Sequence, residues 1–592
     1  MTDVSDLFKS TGSAGKRKLD AVRDPNEIYK SAKLSAVDAI SRHATAEDAA
    51  EDNDRDDDVA AGPIPSSTDD DYGPEMPPDD DDDEEGRFFG GGITKHESEI
   101  LDYVDGRGED SAAPEKIDAS WLRKTALNFE KRITKNAELR AKFANDPQKF
   151  IESEADLDAA IKDLSILTEH PELYPHFVKL GCIDSLVGLL AHENTDIAID
   201  AVEIIGELID EDVNASDEHW DPLVDALLEA DLLGLLVSNF ARLNEEDESD
   251  RSGVYHALGV IESLLSKTAN AEKAGQNTIL IKWLLERAQR KESPVSQNKQ
   301  YAAELLDIIA HTSSLTRRKL VELDAVDILL QLASAYRKRD PEKGGEEEEY
   351  MENVVNALIC IVDEPDGKEK FLEAEGIELC LIMLKEGKMS KQPAMRLLVH
   401  SVNDDSSGEL CRKVVDAGGL KVLFTLFKKT QNRFINESLF DIFRSLLRYL
   451  PADSAERIRA LAKFVEKDYE KLGRLYECRK AYKSMLDAED QKIQKERSSM
   501  SVEDAEAMEG EWFVRRIDEG LYCVWNIDVT LAWLVAEDAG AKKRIQKLLA
   551  ADGRELSAIK STLEEYRDDL DVDKPEHKDL ADMLTTLMEF LK

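Results

Sequence analysis

Three observations predict an all-α fold built from repeats. A short aliphatic phrase recurs along the chain at intervals of about 40–50 residues. Between its copies, apolar residues fall three and four apart, the spacing of amphipathic helices. Aromatic residues are only 6% of the chain, and 17 prolines and 30 glycines are too few for the many tight turns of a sandwich or barrel. A helical repeat of this length marks armadillo or HEAT units. The expected architecture is therefore an armadillo/HEAT-like right-handed superhelical solenoid, with a helical C-terminal cap and a disordered acidic N-terminal tail. Stacked repeats offer a long concave face to extended partners, so binding is favoured over catalysis before any motif is considered.

The first copy of the phrase is Gly181-Cys182-Ile183-Asp184-Ser185-Leu186-Val187-Gly188-Leu189-Leu190. Leu232 to Leu236, Ala325 to Leu329, Gly376 to Cys380 and Gly419 to Leu423 repeat it. Its anchors Ile183, Leu233, Val326, Ile377 and Leu420 lie 50, 93, 51 and 43 residues apart. The gap of 93 spans two periods, and Ile279 to Leu284 falls near its middle. After each copy comes a second amphipathic helix: Ile197–Leu208, Val254–Leu265, Tyr301–Ala310, Met351–Val362, Ala394–Val402 and Ile435–Leu450. In an armadillo stack this helix lines the groove, so its polar face is the place to look for function.

On the first of these helices Asp196, Asp200, Glu203 and Glu207 recur at intervals of four, three and four, on one face opposite Ile197, Ala201, Ile204 and Leu208. Glu304 and Asp307 on the third helix, and Asn353 and Asn356 on the fourth, extend the set. Carboxylates and amides on successive rungs can accept hydrogen bonds from a basic, extended peptide. A plain solvated helix face produces the same pattern in a chain with 34% charged residues.

The formal net charge is −48. Residues 1–115 hold 12 Lys and Arg against 32 Asp and Glu, a composition that cannot repay the entropy of ordering. Within this tail Lys16, Arg17 and Lys18 form a compact basic cluster with the character of a nuclear localisation signal. So acidic a chain is a poor match for phosphate backbones and a good one for basic peptides. The expected domains are the tail (1–115), an N-terminal helical cap (116–175), the repeats (176–450) and a C-terminal helical, coiled-coil-like cap (451–592). In the last of these, Phe464 to Glu496 reads as a long helix, Ser498 to Gly510 as a polar break, and Tyr522–Val535 as a helix followed by three more.

Six cysteines occur without any CxxC pair, and Cys182, Cys360, Cys380 and Cys411 sit in the apolar periodic segments, where they read as small core residues. That usage fits a reducing compartment, cytosol or nucleus. The sequence shows no N-terminal apolar region of signal-peptide type and no run of 18 apolar residues, so neither secretion nor membrane spanning is expected. It carries no zinc-ligand spacing, nucleophile elbow, phosphate loop or dinucleotide fingerprint. No enzymatic activity, cofactor or metal is expected.

Several segments resemble the beta-catenin-like protein 1 family. They are Leu127-Asn128-Phe129-Glu130-Lys131-Arg132, Lys135-Asn136, Leu139-Arg140 with Phe143, and Pro147 with Phe150, Ser153-Glu154 and Asp156-Leu157. Leu186 to Leu190 with His192 and Asn194-Thr195-Asp196, Phe371-Leu372 with Glu375-Gly376, and Arg515-Arg516 with Asp518 and Gly520-Leu521 extend the likeness over about residues 116–592. The resemblance implies a nuclear, spliceosome-associated armadillo protein tied to the Nineteen complex. It further implies binding to basic, localisation-signal-like segments of splicing factors, including the cell-division-cycle-five-like protein. The competing expectation is a nuclear transport receptor or adaptor of the importin-alpha or catenin type. The first of these needs tryptophans on the groove helices, which have none; the second usually presents a basic groove.

Overall fold

The computed structural model describes residues 116–571 and 574–592. The expected acidic tail and its cluster Lys16, Arg17 and Lys18 lie outside the described residues. Among the described residues all regular structure is helical, as expected from the sequence.

Helices α1 (Ala119–Lys142) and α2 (Ile151–Lys162) come first. Six triplets follow. They are α3 (Tyr174–Lys179), α4 (Cys182–Gly188) and α5 (Thr195–Ile209); α6 (Asp217–Glu229), α7 (Leu232–Phe240) and α8 (Glu248–Leu265); and α9 (Thr268–Gln276), α10 (Thr278–Gln289) and α11 (Gln297–Thr312). Then come α12 (Ser314–Glu322), α13 (Ala325–Ser334) and α14 (Glu346–Val362); α15 (Pro365–Glu373), α16 (Gly376–Glu386) and α17 (Lys391–Ser401); and α18 (Gly408–Asp416), α19 (Gly419–Lys429) and α20 (Arg433–Tyr449). The recurrent phrase occupies the middle helix of each triplet, and the six amphipathic helices expected from the sequence are the third members.

The phrase works because a corner precedes it. Gly181, Asp231, Asp324, Glu375 and Gly418 each adopt positive φ, between 57° and 78°, immediately before the middle helix. This left-handed residue turns the chain so that Ile183, Val326, Ile377 and Leu420, two residues later, point into the core. The third triplet departs from the rule. Asn277 stands at the corner with φ −75°, and its side chain accepts from the amides of Ile279 and Leu280. A side-chain cap replaces the left-handed turn, and the register moves by one. Ile279 is 70% exposed, while Leu280 and Ile281 are buried.

Side-chain caps start four of the six third helices, α5, α8, α11 and α20. Asn194 accepts from Asp196 N, Asp247 from Ser249 N, and Asn432 from Ile435 N. Each then buries one aliphatic stripe, for instance Ile197, Ala201, Ile204, Ile205 and Leu208 on α5. Helices α2, α5, α8, α11, α14, α17 and α20 pack side by side in that order and form one continuous layer. Gly253 lets α8 lie close on α5, since a Cβ there would stand 2.5 Å from Ile199 Cγ1.

Beyond Tyr449 the chain forms α21 (Ala455–Ser499), α22 (Val502–Asp518), α23 (Leu521–Glu537), α24 (Ala539–Ala551), α25 (Ser557–Asp568) and α26 (Pro575–Phe590). Helix α21 loses helical geometry at Glu466 to Tyr469. Helix α23 packs against α20 and extends the layer by one more member. It is buried on nearly every side from Leu521 to Val535, which explains a sequence apolar all round.

The segment expected as a polar break, Ser498 to Gly510, is instead mostly the start of α22. Ser501 caps it, accepting from Asp504 N at 3.2 Å, and Glu503 and Asp504 occupy the first turn. There the helix dipole favours acids. Trp512 then buries against α21, donating from Nε1 to Glu496 at 3.0 Å. No single helix among the described residues is long and apolar enough to cross a membrane.

Candidate functional site

The outer face of the third-helix layer carries a ladder of polar side chains, and most of its rungs join neighbouring helices. Asp200 on α5 lies 3.4 Å from Lys162 on α2. It also faces Asp158, and burial together with that second carboxylate pushes Asp200 up to about 7. Asp196 accepts from Ser249 Oγ at 3.4 Å, and Glu203 meets His256 Nε2 at 3.2 Å, both across to α8. Asp307 on α11 accepts from Asn356 Nδ2 on α14 at 3.2 Å. Further along, Glu352 pairs with Arg396, and His400 meets Asp363 at 3.0 Å.

Of the residues expected to form a groove from sequence, Asp196, Asp200, Glu203, Asp307 and Asn356 thus bridge helices as well as facing outward. Glu304 accepts from Gln300 on its own helix at 3.0 Å. Asn353 is half-buried on α14. Glu207 lies at the end of α5, and partial burial of its carboxyl followed by the nearby Glu203 charge raises it above the usual carboxylate range.

Two concavities open on this layer. The first, of about 650 Å³, lies beyond the C-terminal end of α5 and is lined by Glu169, Glu207, Asp210, Asp212 and Asn214 among others. Four carboxylates in one hollow attract cations. The second, of about 810 Å³, lies where α17, α20, α22 and α23 meet. Phe434 and Tyr522 supply apolar and aromatic wall, and Glu437, Asp441 and Asp518 supply carboxylates. Arg433 pairs with Glu437 at 2.7 Å, and Asn526 Nδ2 donates to Asp441 at 2.6 Å. Burial raises the Asp441 carboxyl. This hollow contains none of the residues expected to form the groove, although Phe434, Glu437 and Asp441, three and four apart, lie on one face of the sixth groove helix.

Only one group of metal-ligating side chains comes together among the described residues: Asp307, His311 and Cys360, with ligand atoms within 4.8 Å of one another. Cys360 is accordingly not a small core residue as the sequence suggested. It is half-buried on the outer face of α14, whereas Cys182, Cys380 and Cys411 are buried.

A family model described as "Catenin-beta-like, Arm-motif containing nuclear" matches residues 98–564. "Beta-catenin-like protein 1 homolog" of Schizosaccharomyces pombe is 37% identical over 483 residues, 81% of this chain and 84% of the relative. "Beta-catenin-like protein 1" of Homo sapiens is 34% identical over 473 residues, 77% of this chain and 82% of the relative. Among solved structures, "Designed armadillo repeat protein YIII(Dq)4CqI" aligns at TM-score 0.33 and 18% identity, over 45% of this chain and 99% of the other. A chain from "A conserved phosphorylation switch controls the interaction between cadherin and beta-catenin in vitro and in vivo" aligns at TM-score 0.44 and 13% identity, over 83% and 94%.

Proposed function

The chain belongs to the catenin-beta-like family of Arm-motif nuclear proteins, and from that premise we propose that it is a non-enzymatic nuclear scaffold of the pre-mRNA splicing machinery. On this reading it docks basic, localisation-signal-like segments of splicing factors, including the cell-division-cycle-five-like protein of the Nineteen complex, along the third-helix layer. The observation that carries the reading is the acidity of that layer. Carboxylates stand on α5 at Asp196, Asp200 and Glu203 and on α11 at Glu304 and Asp307, and the hollow beyond α5 gathers Glu169, Glu207, Asp210 and Asp212. A Lys- or Arg-rich peptide in extended form presents cations at intervals that such rungs can meet, and charge-assisted bonds to carboxylates are the stronger kind.

The same proposal assigns nuclear entry to Lys16, Arg17 and Lys18, and takes residues 116–175 and 451–592 as caps on the repeats 176–450. A transport-receptor role of the importin-alpha kind gains no support, because helices α5, α8, α11, α14, α17 and α20 contain no tryptophan. Affinity purification of the tagged full chain from nuclear extract, followed by mass spectrometry, tests the proposal. Recovery of splicing factors is the expected result. Recovery of junctional proteins without splicing factors would overturn it.

A further inference from the structure

Helices α11 and α14 lie side by side, and each offers two polar residues one turn apart: Asp307 and His311 on one, Asn356 and Cys360 on the other. They meet in two cross-helix pairs. Asn356 Nδ2 donates to Asp307 Oδ2 at 3.2 Å, which fixes the carboxylate. His311 Nε2 stands 3.2 Å from Cys360 Sγ. The other ring nitrogen, Nδ1, lies 2.8 Å from the Asp307 main-chain carbonyl and 3.1 Å from its carboxylate Oδ1. With the Asp307 main-chain carbonyl facing Nδ1, the ring keeps a proton there. The proton that titrates is the one between Nε2 and sulfur.

This is the arrangement of an activated nucleophile: sulfur, base and a third group that orients the base. His311 turns one ring nitrogen to Asp307 and the other to Cys360. The group reads as a proton relay rather than a ligand set. The side chain of His311 is 52% exposed, and Cys360 is half-buried beside it.

The other cysteines lack this setting. Cys182, Cys380, Cys411 and Cys523 are buried, and burial raises all four thiols. Cys478 is half-buried like Cys360, but burial raises it too, and its charged neighbours are Arg474 and Glu477 rather than an imidazole.

We propose that Cys360 is the reactive thiol of this protein, a modification site for low-molecular-mass disulfides, with His311 as its base and Asp307 as a positioning residue. In the step, the Sγ proton passes to His311 Nε2 and the sulfur attacks one sulfur of R–S–S–R. The disulfide bond breaks as the Sγ–S–R bond forms. The leaving thiolate takes the proton from His311 and departs as RSH, so Cys360 is oxidised and one half of the small disulfide reduced.

The test exposes the full chain to oxidised glutathione and follows mixed-disulfide formation at each of the six cysteines by peptide mass spectrometry. Cys360 is expected to react roughly ten-fold faster than Cys478, the other half-buried thiol. His311→Gln should slow Cys360 roughly ten-fold and leave the Cys478 rate and the melting temperature unchanged, and Asp307→Asn should give a smaller slowing at the same site. Equal rates at Cys360 and Cys478 would overturn the proposal. So would a Cys360 rate unaffected by His311→Gln, or one equivalent of zinc that copurifies with the protein and shields Cys360.

Discussion

Arg479 and Asp528, 49 residues apart, form an ion pair from which solvent is excluded on both sides. The guanidinium spans both carboxylate oxygens, with Nη2 donating to Oδ2 at 2.8 Å, and the two side chains are 2% and 0% exposed. The pair ties α21 to α23, the helix that extends the third-helix layer. Removing the acid strands a buried cation, a defect of about 3–5 kcal/mol. Asp528→Asn should therefore lower the stability of the C-terminal helices by that order. Limited proteolysis should then cut within residues 455–592 before it cuts the repeats. A variant as resistant as the native chain would contradict this.

Asp200 gives the fold a pH dependence of definite sign. Burial and the facing Asp158 carboxylate push its carboxyl up to about 7 in the folded chain, against 3.8 ordinarily. The folded state thus holds a proton that the unfolded chain releases at lower pH. The stabilisation is complete below about pH 4 and is lost as pH rises through about 7. Asp200→Asn removes that loss. Its melting temperature relative to the native chain should climb from about pH 5 to about pH 8, and a constant difference would count against the account.

Gly418 occupies a corner at φ 78°, and no atom lies within 4 Å of where its Cβ would be. The cost of a side chain there is conformational alone. Gly418→Ala should destabilise by about 1 kcal/mol, and Gly418→Asn by less, because a short polar side chain tolerates the left-handed region. Thermal unfolding of both variants checks the order. Asp231, Asp324 and Glu375 already fill the same corner elsewhere.

The repeat was legible because it is local. The phrase, its corner residue and the amphipathic helix after it lie within about 30–40 residues, and helical periodicity reports them directly. What escaped depended on partners far along the chain or on caps. The third corner shifted register because the Asn277 side chain did the work of a left-handed turn. Helix α22 looked like a break because its acidic start has no apolar period, although Ser501 caps it. The carboxylates of α5 were visible on one face, but Asp158, 42 residues before Asp200 and on another helix, was not visible as its partner. The relay at Cys360 needs His311, 49 residues away, and no spacing rule joins them. The hollow between α17, α20, α22 and α23 draws on four helices up to about 125 residues apart in sequence, and no local period joins them.

The central claim is that the acidic layer holds a basic, extended segment. Fluorescence anisotropy with a labelled Lys/Arg-rich peptide, on the native chain and on a Glu207→Gln/Asp210→Asn/Asp212→Asn variant, tests it most directly. These three residues line the first hollow, and neutral amides there keep the shape while removing the charge. The account predicts that the native chain binds, that added salt weakens binding, and that the variant binds roughly ten-fold more weakly at low salt. Equal affinity of the two proteins, or equal binding of an Asp/Glu-rich peptide by the native chain, would contradict it.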